Sequence, residues 1–201
     1  MLKHFSTSVR LTILTVVFFG FLYPFAMTGL AQAIFPGQAN GSMVVLRGKT
    51  IGSEIIGQLW VKPQYFHGRP SAAGKSGYDP TSTGGTNLGP TSKKLIASTK
   101  QAIAALRKDN PHATLPIPMD LVTSSASGID PDITPEGAYY QAPRIASERG
   151  ITTGSVNSII SAHVRGRTFG FLGEPRVNVL ELNLALDRAV LVSATPAPRH
   201  R

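Results

Sequence analysis

The feature that most constrains this chain is an apolar stretch of 24 residues close to the N-terminus, Leu11–Ile34, in which no residue is charged. At a rise of about 1.5 Å per residue, roughly 20 residues of α-helix span the hydrocarbon core of a bilayer. The run therefore predicts one transmembrane helix. Pro24 lies inside it and is expected to kink the helix, which a membrane helix tolerates.

Two other interpretations of the run remain open. Ala31-Gln32-Ala33 fits the small-residue pattern of a signal-peptide cleavage site, although the apolar region of a signal peptide usually has only about 7–15 residues. A buried core helix would normally carry a polar stripe. Lys3 and Arg10 precede the run, so the positive-inside rule places the N-terminus in the cytoplasm and everything after the run outside it.

The predicted organisation has four parts. These are a cytoplasmic N-terminus (1–10), a transmembrane helix (11–34), a soluble mixed α/β (α+β) domain outside the cytoplasm (35–194) and a disordered tail (195–201). About 165 residues beyond the helix are enough to build a core without disulfides. The chain has no cysteine, which excludes disulfides, thiolate metal sites and cysteine nucleophiles.

The chain is basic, with a net charge of +9, and +7 of this lies beyond the apolar run (18 Lys and Arg against 11 Asp and Glu). Such a charge suits nucleic acid, anionic lipid or an acidic protein partner. The basic residues are scattered, however, and no nucleic-acid-binding motif frames them. We therefore predict a membrane protein that does not bind nucleic acid.

The soluble part shows recognisable secondary-structure patterns. Apolar residues at helical spacing predict helices, and alternating apolar residues predict strands. The predicted elements are a hairpin of Met43–Leu46 with Thr50–Ile51, helices over Pro90–Asn110 and Ser155–Val164, and a strand over Val177–Leu186. A further helix is predicted to start at Thr134-Pro135-Glu136, to be interrupted by Pro143 and to end at Gly150. The predicted strand over Val177–Leu186 rests on alternating leucines, and leucine also favours helix.

Motifs for catalysis are missing from the sequence. Gly68–Ser76 ends in Gly-Lys-Ser as a phosphate-binding loop does, but five residues instead of four separate its glycines. His67, His112 and His163 do not have the spacing of a zinc site. Asp130 and Asp132 flank a proline before a helix, where turns and caps are the usual role. We predict no catalytic residue and no metal site.

Four segments resemble the KdpC family, the small accessory component of potassium-transporting Kdp ATPases. They are Tyr65–Ala72 (YFHGRPSA), Gly84–Ser92 (GGTNLGPTS), Ser127–Ala146 (SGIDPDITPEGAYYQAPRIA) and Gly173–Asp187 (GEPRVNVLELNLALD). The similarity covers nearly the whole chain, with the motifs in order. Asp132 is a departure, because histidine is expected there in many relatives, and no role is assigned to it.

The resemblance implies a non-catalytic accessory subunit of a high-affinity potassium import complex in the bacterial inner membrane. Its implied partners are a channel-like subunit that carries potassium, an ATP-hydrolysing subunit that is phosphorylated on aspartate, and in many cases a small fourth peptide. The family is described as a catalytic chaperone that raises the ATP affinity of the ATP-hydrolysing subunit. Potassium is the transported ion, ATP acts through the ATP-hydrolysing subunit, and no cofactor is expected to bind this chain firmly.

The polar residues of these motifs are the candidate site residues. As interface or structural-network residues we predict Arg69, Asn87, Arg144, Glu174, Arg176 and Asn178. A direct nucleotide-binding chaperone on the cytoplasmic side remains an alternative, and its ATP candidates are Gly84, Gly85, Thr86 and Asn87. A secreted or anchored hydrolase is a third hypothesis, but it needs a nucleophile–base pair, which the sequence does not reveal.

Overall fold

The computed structural model describes residues 2–193, so the predicted disordered tail (195–201) lies outside the described residues. The chain forms two compact units, Met1–Ser53 and Glu54–Arg201. The described residues combine helices with two small antiparallel sheets, which confirms the mixed α+β class with one N-terminal apolar helix. The predicted domain limits at residues 10, 34 and 194 stay predictions.

The first unit contains the long apolar helix. Helix α1 (Leu2–Val17) continues through a π-helical turn (Phe18–Leu22) into α2 (Tyr23–Ile34). Lys3–Ile34 is long and apolar enough to cross a membrane. Because Pro24 has no N–H, the regular hydrogen-bond ladder must change near it. The change takes the form of the π turn, in which the Tyr23 N–H donates to the Phe18 carbonyl oxygen, five residues back.

A hairpin completes the first unit, after the short helix α3 (Pro36–Ala39). Strands β1 (Met43–Leu46) and β2 (Lys49–Ser53) pair antiparallel. Arg47 (φ 51°) and Gly48 (φ 76°) form the two-residue turn between them, with the positive φ values that a type I′ turn requires. The predicted hairpin is confirmed.

The second unit is mainly helical. Its elements are α4 (Lys93–Asp109), a 3₁₀ turn (Met119–Leu121), β3 (Asp132–Ile133), α5 (Pro135–Arg149), α6 (Thr153–His163), β4 (Val177–Asn178) and α7 (Val179–Ser193). Helices α5, α6 and α7 enclose the core, whose fully buried side chains include Phe66, Ile145, Val156, Ile160, Leu182 and Leu186. Full burial of such a side chain contributes about 1.5–3 kcal/mol.

The predicted helices over Pro90–Asn110 and Ser155–Val164 are confirmed as α4 and α6, with shifted ends. The Ser92 hydroxyl caps α4 by accepting from the Leu95 N–H, and the Thr152 hydroxyl caps α6 by accepting from the Ser155 N–H. Because of these caps, α4 starts at Lys93 instead of Pro90, and α6 starts at Thr153 instead of Ser155.

The predicted interruption of the next helix at Pro143 is wrong. Helix α5 starts after its predicted cap, Thr134, and runs without a break to Arg149, where Gly150 (φ 63°) ends it as predicted. A proline in a helix interior costs about 3 kcal/mol. Burial offsets this cost, because eight residues of α5, on both sides of Pro143, are buried.

The predicted strand over Val177–Leu186 is also wrong beyond its first two residues. Only Val177 and Asn178 form strand β4, which pairs with β3 in the register Ile133↔Val177 and Asp132↔Asn178. The Asn178 side-chain oxygen then accepts from the Glu181 N–H at 3.1 Å and caps α7. Leu180, Leu182, Leu184 and Leu186 are all buried because α7 is covered on several sides, so their alternation does not reflect a strand.

Candidate functional site

A polar pocket of about 220 Å³ lies beside the small sheet of β3 and β4. Two basic side chains and four acidic ones line it, which gives a formal net charge of −2; they are Arg69, Arg176, Asp120, Asp130, Asp132 and Glu174. Three of the six candidate residues, Arg69, Glu174 and Arg176, therefore lie in one pocket although more than 100 positions separate the first from the others.

Two ion pairs hold the centre of this pocket. Arg69 Nη1 lies 3.0 Å from Asp130 Oδ2, and Arg176 Nε lies 3.1 Å from Asp132 Oδ2. The Asp132 backbone N–H donates to Asp130 Oδ1 at 3.1 Å. This bond closes a turn around Pro131, as the Asp-Pro-Asp sequence predicts. Burial raises the pKa of the Asp132 carboxyl, and the Arg176 guanidinium offsets part of this rise.

Asn178 connects the pocket to the surrounding elements. Its Nδ2 donates to the Glu54 carbonyl oxygen at 2.8 Å and to Asp132 Oδ1 at 3.3 Å, while its Oδ1 caps α7. The side chain is 2% exposed. The structure thus brings together four of the six candidates, Arg69, Glu174, Arg176 and Asn178, and gives Asn178 a structural role.

The backbone of Arg69 and that of Gly57 both lie in close contact with the Tyr78 side chain. The Tyr78 hydroxyl donates to the Arg69 carbonyl oxygen at 2.7 Å, and burial raises the pKa of Tyr78 to about 12. The Gly57 N–H donates to the Ile129 carbonyl oxygen at 2.8 Å. The Gly57 backbone therefore lies directly against the segment that precedes β3. A Cβ on Gly57 would collide with the Asp130 carbonyl oxygen and would lie 2.7 Å from the Tyr78 ring.

Gly57→Ala is therefore expected to lower the free energy of unfolding by about 1–3 kcal/mol, because backbone and a buried ring would have to move. Chemical denaturation followed by the fluorescence of the single tryptophan, Trp60, measures the change. Gly89→Ala is the matched control, since no described atom lies within 4 Å of a Cβ built there. Equal stabilities of the two variants would contradict the close packing.

Arg144 lies in a different place, inside the second unit, and is 6% exposed. Its guanidinium donates to Asn110 Oδ1 (3.0 Å), Gln141 Oε1 (2.8 Å) and the carbonyl oxygens of Tyr65 (3.1 Å) and Pro63. Desolvation by burial lowers the pKa of Arg144. The candidate role of Arg144 as a structural-network residue fits this arrangement.

The network of Arg144 is part of a larger set of contacts that holds the segment Pro63–His67, which starts in a turn. Its backbone groups bond to side chains of α5 and α7: Gln141 Oε1 accepts from the His67 N–H, Asn183 bonds both backbone groups of Phe66, and Arg149 Nε donates to the Gln64 carbonyl oxygen. Among the described strands none pairs with this segment, so these side chains satisfy backbone groups that burial would otherwise leave unpaired.

Sequence reasoning did not identify Gln141, Asn183 or Arg149. A usable signal was present, since Gln141 and Asn183 are polar residues within largely apolar stretches of two motifs. Both prove almost fully buried. A buried polar side chain must find a partner. Arg149 is a further member, because it pairs with Asp187 at 2.8 Å and lies over the Tyr65 ring.

The ATP candidates lie in the loop before α4 and do not line the polar pocket. The Gly84 N–H donates to the Ser127 carbonyl oxygen at 2.8 Å, Gly85 packs on Ala126, and Thr86 and Asn87 (φ 51°) are exposed. Gly68–Ser76 is followed by more loop, and the next helix in the described chain, α4, begins only at Lys93. The segment therefore lacks the helix N-terminus that a phosphate-binding loop uses.

The histidines make local contacts. His67 Nε2 lies 3.1 Å from the Lys62 carbonyl oxygen, and His163 Nδ1 lies 2.8 Å from the Ile159 carbonyl oxygen. Burial lowers the pKa of His67. Within residues 2–193, no group of three or more His, Asp or Glu side chains is placed to hold a metal ion.

The chain thus combines one apolar N-terminal helix with a separate folded unit whose polar residues are largely engaged with one another. The family model described as "K+-transporting ATPase, c chain" matches residues 5–188. The chain belongs to this family, the KdpC family, whose members are components of a potassium-transporting ATPase.

Three similar proteins are each named "Potassium-transporting ATPase KdpC subunit". The protein of Myxococcus xanthus is 53% identical over 189 residues, which cover 94% of this chain and 89% of that protein. That of Koribacter versatilis is 50% identical over 200 residues (99% and 100%). That of Acidobacterium capsulatum is 54% identical over 187 residues (93% and 99%). The family resemblance found in the sequence is confirmed.

Proposed function

We propose that this chain is a non-catalytic accessory subunit that stabilises the assembly of an ATP-driven potassium import complex. Its N-terminal helix anchors it in the bacterial inner membrane beside the channel-like subunit. Its second unit lies outside the cytoplasm, over the potassium entrance of that channel-like partner. The observation that carries the proposal is the family match over residues 5–188, which includes both the apolar helix and the polar pocket.

The contacts of the second unit support a binding role. Two ion pairs join four of the six charged groups of the polar pocket, and Arg144 and Arg149 hold backbone in place. A catalytic site needs a nucleophile or an acid–base group that is free to act on a substrate. The paired arrangement instead supports a rigid surface for contact with another protein of the complex.

The proposed orientation rests on the charges that precede the apolar run Leu11–Ile34. Lys3 and Arg10 lie within α1 on the N-terminal side of this run, and the positive-inside rule keeps such residues in the cytoplasm. The second unit would then be separated by the membrane from cytoplasmic ATP. A chaperone effect on the ATP affinity of the ATP-hydrolysing subunit would act through assembly or conformation, not through nucleotide bound at Gly84–Asn87.

Deleting this chain is expected to abolish potassium-stimulated ATPase activity, because the remaining subunits would not assemble stably. The measurement is ATP hydrolysis in membranes with and without potassium, with the chain restored from a plasmid as the control. Full potassium-stimulated activity without the chain would refute the accessory role.

The orientation is tested separately by reporters fused after Arg201. Alkaline phosphatase, which works only outside the cytoplasm, is expected to be active, and a cytoplasm-dependent fluorescent reporter is expected to be dark. The opposite pattern would support the alternative, a nucleotide-binding chaperone in the cytoplasm. ATP cross-linking to Gly84–Asn87 would then be the next measurement.

A further inference from the structure

The most exposed large apolar side chains of the second unit include two that lie together at the tip of a hairpin arm (Arg165–Arg176). Phe169 is 84% exposed and Phe171 is 70% exposed, and the adjacent Leu172 is 49% exposed. Single exposed apolar residues are common, but here three large ones lie within four positions of one another. Such a concentration of exposed apolar side chains is typical of a site of contact with another molecule.

The arm presents this tip rigidly. Arg165 and Arg176 exchange backbone hydrogen bonds of 2.8 and 2.9 Å at the base, and Thr168 and Leu172 exchange two of 2.9 Å below the tip. Phe169 has φ 54°, in the left-handed region that bulky side chains rarely adopt. The fold thus holds an aromatic side chain in a strained backbone position that leaves most of its surface exposed.

The charges around the arm indicate what it contacts. Each of its three arginines pairs with an acid: Arg165 with Glu181, Arg167 with Glu174 at 2.8 Å, and Arg176 with Asp132 at 3.1 Å. An anionic lipid surface is bound by unpaired basic residues beside the apolar ones. An apolar centre inside a neutralised polar rim is instead the pattern of a protein–protein interface.

We propose that the tip, Phe169–Leu172, inserts into an uncharged apolar recess on another protein of the potassium-transporting complex. This inference rests on the proposed function, and it adds which part of the chain makes the contact. The two phenylalanines are the anchors of that contact, because buried aromatic side chains carry a large share of interface binding energy. The ion pairs of the arm form its rim and keep water from the apolar centre.

The first test is photo-crosslinking in the intact complex. A benzophenone-bearing phenylalanine at position 171 of the full chain, co-expressed with the other subunits, is expected to give an adduct with the combined mass of this chain and one of them. Adducts with lipid only, or no adduct with another protein of the complex, would overturn the proposal. The same probe at Met119, which is 77% exposed on the second unit, is the matched control.

The second test separates binding from folding. Phe169→Gly combined with Phe171→Asp is expected to reduce the other subunits recovered with the tagged chain by at least about tenfold. Phe169→Gly alone should leave the thermal midpoint of the isolated chain no lower, since glycine adopts this φ without strain. The control is Val61→Asp with Met119→Asp, at two other exposed apolar positions.

The outcomes distinguish this inference from the proposed function. If the unsubstituted chain and the tip variant recover the other subunits equally, the docking proposal is wrong and the accessory role stands. If the unsubstituted chain recovers none of the other subunits, the accessory role fails and the docking proposal fails with it. Loss for the tip variant, with normal recovery for the control variant, supports both.

Discussion

Arg144→Ala is expected to lower the free energy of unfolding by about 3–5 kcal/mol. The guanidinium serves four acceptors inside the second unit, namely Asn110, Gln141 and the carbonyl oxygens of Pro63 and Tyr65. Alanine would remove this donor from all four. Gln141 Oε1 would keep the His67 N–H, but Asn110 Oδ1 and the Tyr65 carbonyl oxygen would lose the bond, and each buried acceptor left unpaired costs about 1–3 kcal/mol. For a domain of ordinary stability this is a large part of the total.

The single tryptophan makes this change measurable apart from the apolar helix. Trp60 lies 4.9 Å from the Tyr65 ring, centroid to centroid, next to the segment that Arg144 holds. Its fluorescence during urea denaturation of the full chain in detergent therefore reports on the second unit. Arg107→Ala, at an exposed position on α4, is the matched control and is expected to change the stability by less than about 0.5 kcal/mol.

Arg144→Lys distinguishes the role of shape from that of charge. An ammonium group is a compact point charge, whereas the planar guanidinium donates in several fixed directions. Lysine is therefore expected to lose nearly as much stability as alanine. Recovery of full stability by lysine would show that the charge alone matters, and would contradict the hydrogen-bond network as the cause.

The parts of the fold that could be predicted from the sequence are those with local signals. The hairpin of β1 and β2 follows from the Arg47-Gly48 turn, and α4 and α6 follow from apolar periodicity with a capping hydroxyl. The two errors arose from tertiary burial. Burial holds α5 intact through Pro143, and it covers α7 on several sides, so that its leucines imitate the alternation of a strand.

The candidate site, like the fold, could be predicted from the sequence only in part. The family motifs pointed to Arg69, Glu174, Arg176 and Asn178, and the structure places these four around one sheet although the chain separates them widely. No local pattern could pair Arg69 with Asp130, 61 positions away. The Phe169–Leu172 tip was not predicted either, because the sequence alone does not reveal whether its three apolar residues are buried.

Phe18→Arg combined with Leu22→Arg is expected to remove the chain from the membrane. Both positions lie near the middle of the apolar run, within the single described helix that is long and apolar enough to span a bilayer. Each arginine at the centre of a membrane helix costs about 2.5–3.5 kcal/mol on insertion scales, and each lost apolar side chain about 0.3–0.6 kcal/mol more. The two changes together amount to roughly 6–8 kcal/mol, which is enough to reverse insertion.

Alkaline carbonate extraction measures this effect, since it releases proteins that do not span the bilayer. The unsubstituted chain should stay in the pellet at full length, and the doubly substituted chain should move to the supernatant. Val61→Arg with Met119→Arg adds the same charge at exposed positions of the second unit and should leave the chain in the pellet. Recovery of an unsubstituted chain that begins near Ile34 would identify the run as a cleaved signal peptide, because Ala31-Gln32-Ala33 would then have been the cleavage site.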